Sequence, residues 1–95
     1  MTRSDIFQTA LAQTENLRSR YPGDTAIQSI IIQLQYLIDL ENRKRSDRDR
    51  LDDIIIGVLT VREIEPLDER VADLLYEVDE QVELMRNEGK SRFAE

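Results

Sequence analysis

Apolar residues recur along this 95-residue chain at steps of three and four, the spacing that lines one helical face, in four stretches separated by short punctuation. The first runs through Ile6, Phe7, Ala10, Leu11, Leu17 and Tyr21, with Ser4 placed to cap it. Tyr21-Pro22-Gly23 closes it, because a residue before proline avoids helical geometry and glycine supplies a turn. Asp24 is the expected cap of a second helix with the stripe Ile27, Ile30, Ile31, Leu34 and Ile38, widened by Tyr36, Leu37 and Leu40. So broad an apolar surface predicts a helix that touches several neighbours. Arg43, Lys44 and Arg45 fall where a helix C-terminus favours cations, and Ser46 with Asp49 resembles a capping box for a third helix. Pro66 ends that helix, and Asp68 begins a fourth with the seam Val71, Leu74, Leu75, Val78, Val82 and Met85. Gly89 is the expected stop, leaving residues 89–95 as a loose tail. The pattern predicts an all-α fold, a single domain over residues 1–95 built as a compact bundle of four main helices at about 4–20, 24–44, 47–64 and 67–88.

One stretch is ambiguous. Leu51–Glu65, LDDIIIGVLTVREIE, could be a strand buried on both faces, or a helix with Leu51, Ile54, Ile55, Val58 and Leu59 on one face and Arg62 at its edge. The uninterrupted span from Ser46 to Glu65 is too long for an ordinary strand, and no other segment offers it a pairing partner. Helix is therefore favoured, held by packing against the low propensity of its β-branched residues, with Gly57 marking a place where another helix comes close.

Charge narrows the functional classes. Residues 1–50 carry eight basic and seven acidic side chains, and residues 51–95 carry five and thirteen, so +1 against −8 makes up the net −7. Such a body repels nucleic acid and anionic membrane and suits cationic protein surfaces, including clefts built to hold phosphates. The longest uncharged run, Thr25–Ile38, is too short and too rich in glutamine to span a bilayer, and the N-terminus lacks the apolar core of a signal peptide. With no cysteine and no histidine, thiolate chemistry, the usual zinc sites and His-based triads are excluded, and a reducing cytoplasm is the expected compartment.

Three clusters remain as candidate chemistry. Asp52 and Asp53 are adjacent and would point about 100 degrees apart on a helix, whereas Asp49 and Asp53 share a face and could hold Mg²⁺ weakly. Acids in a first helical turn also complement the helix dipole, which accounts for them without a metal. Glu77-x-x-Glu80 matches the spacing by which all-α nucleotide pyrophosphohydrolases hold Mg²⁺, but a second, facing pair is missing, and a solvated acidic face explains it as well. Arg43, Lys44, Arg45, Arg48 and Arg50 could be a nucleic-acid patch, yet neighbouring Glu41, Asp47, Asp49, Asp52 and Asp53 favour an internal ion-pair network. The residues thus favour a small acidic helical binding protein over an enzyme, with a dimerisation or adapter module as a further alternative.

Four segments in order carry a resemblance: RYPGD at Arg20–Asp24, QLQYL at Gln33–Leu37, SDRDRL at Ser46–Leu51 and IGVLTVREIEPLD at Ile56–Asp68. Together they resemble the type VI secretion immunity protein (Tsi) family, over roughly residues 5–80. The resemblance implies an all-α, cytoplasmic, non-enzymatic protein without cofactor or metal. Such a protein binds the toxin domain of a type VI effector and blocks its active site, protecting producing and kin cells. The toxins so paired degrade NAD(P) or pyrophosphorylate adenine nucleotides. It further implies that part of the toxin contact lies at the acidic helix 3–4 connection, at Glu63, Glu65 and Asp68, with Glu69 and Asp73 on the adjoining turn. Self-association into a homodimer is left open.

Overall fold

The computed structural model describes residues 1–44 and 47–93, with backbone alone from residue 89 onward. Among the described residues there are four α-helices: α1 Arg3–Arg20, α2 Thr25–Glu41, α3 Ile56–Leu59 and α4 Glu69–Phe93. A 3₁₀ turn, Asp49–Asp53, precedes α3, and a π turn, Thr60–Ile64, follows it. Among the described residues there is no strand, so the ambiguous central stretch is helical in type. The bundle is the all-α architecture that the periodicity predicts.

Caps explain the helix ends. α1 is capped by Thr2 rather than Ser4: the Thr2 hydroxyl accepts from the Asp5 N–H at 3.1 Å, and the Asp5 carboxylate accepts from the Thr2 N–H at 3.0 Å. A capping box needs its acid three residues on, where Ser4 would find Phe7. Asp24 caps α2 as expected, accepting from the Ile27 N–H at 3.0 Å. That helix ends at Glu41, short of the basic run. Lys44 N–H bonds Asp39 O at 2.9 Å and Arg43 N–H bonds Leu40 O at 3.2 Å, a Schellman closure with Arg43 at φ 61°. An arginine held in this left-handed region costs about 1 kcal/mol relative to glycine. The Ser46–Asp49 capping box and the placement of Arg45 lie outside the described residues. At the other end α4 passes through Gly89 to Phe93, because glycine weakens a helix without forcing it to stop. Its 25 residues make it about 37 Å long, which sets the 46 Å long axis of the molecule.

α1 packs against both α2 and α4; α3 also packs against both, and the π turn packs on α4. α2 and α4 therefore stand across from each other, with Phe7, Leu17, Ile27, Leu34, Leu37, Leu75 and Val78 fully buried between the four elements. The predicted seams hold, except that Tyr21 is exposed and Ile6, Leu11, Ile38 and Leu74 are only partly buried. Thr14 joins the inward face of α1, its hydroxyl donating to Ala10 O at 2.7 Å.

The third predicted helix, 47–64, is the main correction. The chain is extended at Ile54 (ψ 122°), so the helical face predicted there is broken. Leu51, Ile54, Ile56, Thr60 and Ile64 point inward, whereas Ile55 and Val58, both expected inside, are exposed. A continuous helix would place Ile54 and Ile56 on opposite sides; the kink buries both. Gly57 does mark a close approach, since a Cβ there would lie 2.7 Å from the Asp79 carboxylate of α4.

Candidate partner-binding surface

An irregular segment must find partners for the backbone groups that a helix would have satisfied internally. Here long side chains of α2 and α4 supply them. The Arg86 guanidinium donates twice to Leu51 O, at 3.0 and 2.7 Å, and once to Ile54 O at 3.0 Å, while Glu83 holds its outer edge at 2.6 Å. Gln33 Oε1 accepts the Ile55 N–H at 2.8 Å, and the Tyr36 hydroxyl donates to Asp47 O at 2.7 Å. Arg48 reaches across to Met85 O at 2.7 Å. The connection between α2 and α4 is thus strapped to both, and its outward side chains occupy fixed positions.

The acids named from sequence gather around the end of this segment but do different jobs. Asp68 is fully engaged: Oδ1 accepts from the Arg70 and Val71 amides at 3.0 and 3.1 Å, capping α4, and Oδ2 accepts from Arg20 at 2.7 Å. The Arg20 guanidinium, then the α4 amides, hold its pKa below the usual carboxylate range. Glu65 accepts the Tyr76 hydroxyl at 2.5 Å, a bond that pushes the phenol pKa up to about 12, and the carboxylate remains exposed. Glu63 is exposed beside Leu59 and the start of α2, and Glu69 and Asp73 are exposed one turn apart on α4. Glu63, Glu65, Glu69 and Asp73 are exposed acids on either side of Pro66, an acidic rim in the sequence sense, and Asp68 is the pin at the start of α4.

What the sequence did not show is the apolar part of the surface. Ile32 on α2 is 63% exposed, and along the connection Ile55, Val58 and Val61 are 48%, 56% and 57% exposed. Ile32 and Ile55 both line a groove of about 650 Å³ between α2 and the connection, with Gln28, Ser29, Gln33 and Gln35 also lining it. In sequence Ile55 and Val58 look like core positions, and the break at Ile54 turns them outward, whereas Ile32 and Val61 lie off the predicted inward faces.

The other candidate clusters take humbler places. Among the described residues, no group of three or more acidic side chains converges where a metal ion could sit. Glu77 and Glu80 are exposed on α4, and Asp52 and Asp53 lie in the 3₁₀ turn. Of the basic cluster, Arg48 bonds a backbone carbonyl and Arg50 lies over the Tyr36 ring at 6.0 Å, while Arg45 lies outside the described residues.

With this geometry in view, the model of the Tsi6 family matches residues 2–84. The chain belongs to the Tsi6 family. Its fold matches the solved structure of Tsi6 from Pseudomonas aeruginosa with a TM-score of 0.77 at 28% identity, covering 82% of this chain and 91% of that one. A chain in the structure of Tse6 in complex with Tsi6 matches with a TM-score of 0.82 at 27% identity, covering 94% of each. No curated protein matches the sequence. The immunity-protein resemblance carried by the four motifs is thereby established at the level of the family. The Tsi6 match takes in α1 to α3, the connection and its acidic rim, and the first four turns of α4, ending just before Met85. No helix among the described residues is long and apolar enough to cross a membrane.

Proposed function

We propose that this chain is the immunity partner of a type VI effector and acts in the cytoplasm. It binds the effector's toxin domain one to one, covers its active site, and does so without catalysis of its own. The observation that carries this reading is the match over nearly the full length to a chain from a complex with Tse6. By the family resemblance, the toxin it meets degrades NAD(P) or pyrophosphorylates adenine nucleotides. Either substrate is polyanionic, so the cleft that holds it is electropositive, and a chain of net charge −7 is drawn toward such a cleft.

In this reading Glu63, Glu65, Glu69 and Asp73 meet basic groups at the cleft margin, and Asp68 contributes by fixing the start of α4. Reversing Glu63 and Glu65 together to lysine is expected to weaken toxin binding by about tenfold at low salt, mainly through the association rate, with the difference shrinking as salt rises. Asp68 is left intact because its loss would uncap α4 and confuse the result. Titration calorimetry or surface-immobilised binding at two ionic strengths reads the effect, and unchanged affinity takes Glu63 and Glu65 out of the interface.

A further inference from the structure

The uncharged run Thr25–Ile38 explains little of the fold on its outer side. Its inward residues build the core, but its exposed face, Thr25, Gln28, Ile32 and Gln35, has no structural reason to avoid charge in a chain that is 35% Asp, Glu, Lys and Arg. Solvated helix faces are normally charged; depletion of charge around an exposed apolar residue is what distinguishes the centre of a protein interface. Ile32, the most exposed isoleucine of the chain, stands in the middle of that face, and Ile55 lines the same groove.

The groove is also built before any partner arrives. The Gln33 side-chain amide donates to Ser29 Oγ at 3.1 Å and accepts the Ile55 N–H at 2.8 Å, so one side chain ties both walls together. A preformed groove avoids the ordering cost that a flexible surface would incur on binding. Among the described residues, the charged side chains lining it are Asp39, Asp53 and Arg50, with Glu63 in the adjoining hollow. Arg50 lies against the Tyr36 ring.

From the uncharged face, the two exposed isoleucines and the carboxylates beside them, we infer that the α2–connection groove is the desolvated centre of the toxin interface. It receives an apolar projection of the toxin surface flanked by basic residues. This rests on the immunity reading above and deepens it: the acidic rim steers the toxin, and the Ile32–Ile55 groove holds it. Charge decides between occupants. A second copy of this chain would bring a like-charged margin against Asp39, Asp53 and Glu63, whereas a basic toxin surface is complementary to it.

The test uses the full chain and the toxin domain of its cognate effector. Ile32→Arg, on a residue mostly in solvent, is expected to keep helicity and melting temperature while weakening toxin binding by about 30-fold or more, as loss of a central interface residue does. Gln13→Arg adds the same charge to the exposed face of α1, outside the groove, and is expected to leave binding unchanged. Should Ile32→Arg fail to fold, Gln28→Arg, one turn away on the same face, gives the same reading. Wild-type affinity in a folded groove variant overturns the inference while leaving the immunity reading intact. So does a groove variant that only abolishes self-association in light scattering, which would assign the face to a second copy. If the unmodified chain does not bind the toxin at all, the immunity reading itself falls and this inference with it.

Discussion

Ile56→Ala is expected to lower stability by about 2–5 kcal/mol, whereas Ile55→Ala, one residue earlier, is expected to cost under about 1 kcal/mol. Ile56 is fully buried and packs inward with Thr60 and Ile64, so truncation leaves a cavity that the close-packed π turn and α4 fill only in part. Ile55 is 48% exposed, and removing its outer carbons leaves no such cavity. Had the central stretch been one continuous helix with Ile55 on its inner face, the order of the two effects would be reversed. Urea unfolding with an unchanged m-value measures both, and equal losses would contradict the break at Ile54. Ile55→Ala carries a second expectation, since its side chain lines the groove: binding weakens where stability hardly moves.

Arg86→Met should destabilise the protein by about 2–3 kcal/mol, a fall in melting temperature of roughly 10–20 °C for a domain of this size. The methionine keeps the aliphatic stem, so the loss reports the guanidinium alone. Three charge-assisted bonds to Leu51 O and Ile54 O disappear, and two carbonyls of an irregular segment lose the partners that replaced a helical ladder. Lysine should rescue little, because a point ammonium cannot fork between two carbonyls. Hydrogen exchange localises the effect: amides of residues 51–56 should lose protection before those of α1 and α2. A melting temperature within two or three degrees of wild type would mean that Arg86 merely decorates the connection.

These two sites also mark where the sequence could be read and where it could not. α1, α2 and α4 follow from period alone, and Asp24 and Asp68 were visible as caps because an acid before an apolar run has little else to do locally. The central stretch was opaque because Ile54, Ile55 and Ile56 are chemically identical, and which two turn inward depends on Arg86 and Gln33, residues 32 and 22 positions away. Nothing in the sequence around Arg86 marks it for this role. The same limit governs the candidate surface. Carboxylates at Glu63, Glu65 and Asp68 are legible, but that Asp68 spends both oxygens on Arg20 and the α4 amides is a fact of tertiary structure. Ile55, inside an apolar run, is indistinguishable from core until the fold turns it out.

The most direct measurement of the central claim is the activity left when a fixed amount of the cognate toxin domain is mixed with increasing amounts of the purified chain. Neutralisation by occlusion predicts a linear fall to zero at one molar equivalent, reached as fast as the two proteins associate, and toxin recovered intact when the complex is separated. Undiminished activity at several equivalents, or a slow loss driven by far less than one equivalent, would contradict it: the first removes the partner, the second makes the chain a catalyst.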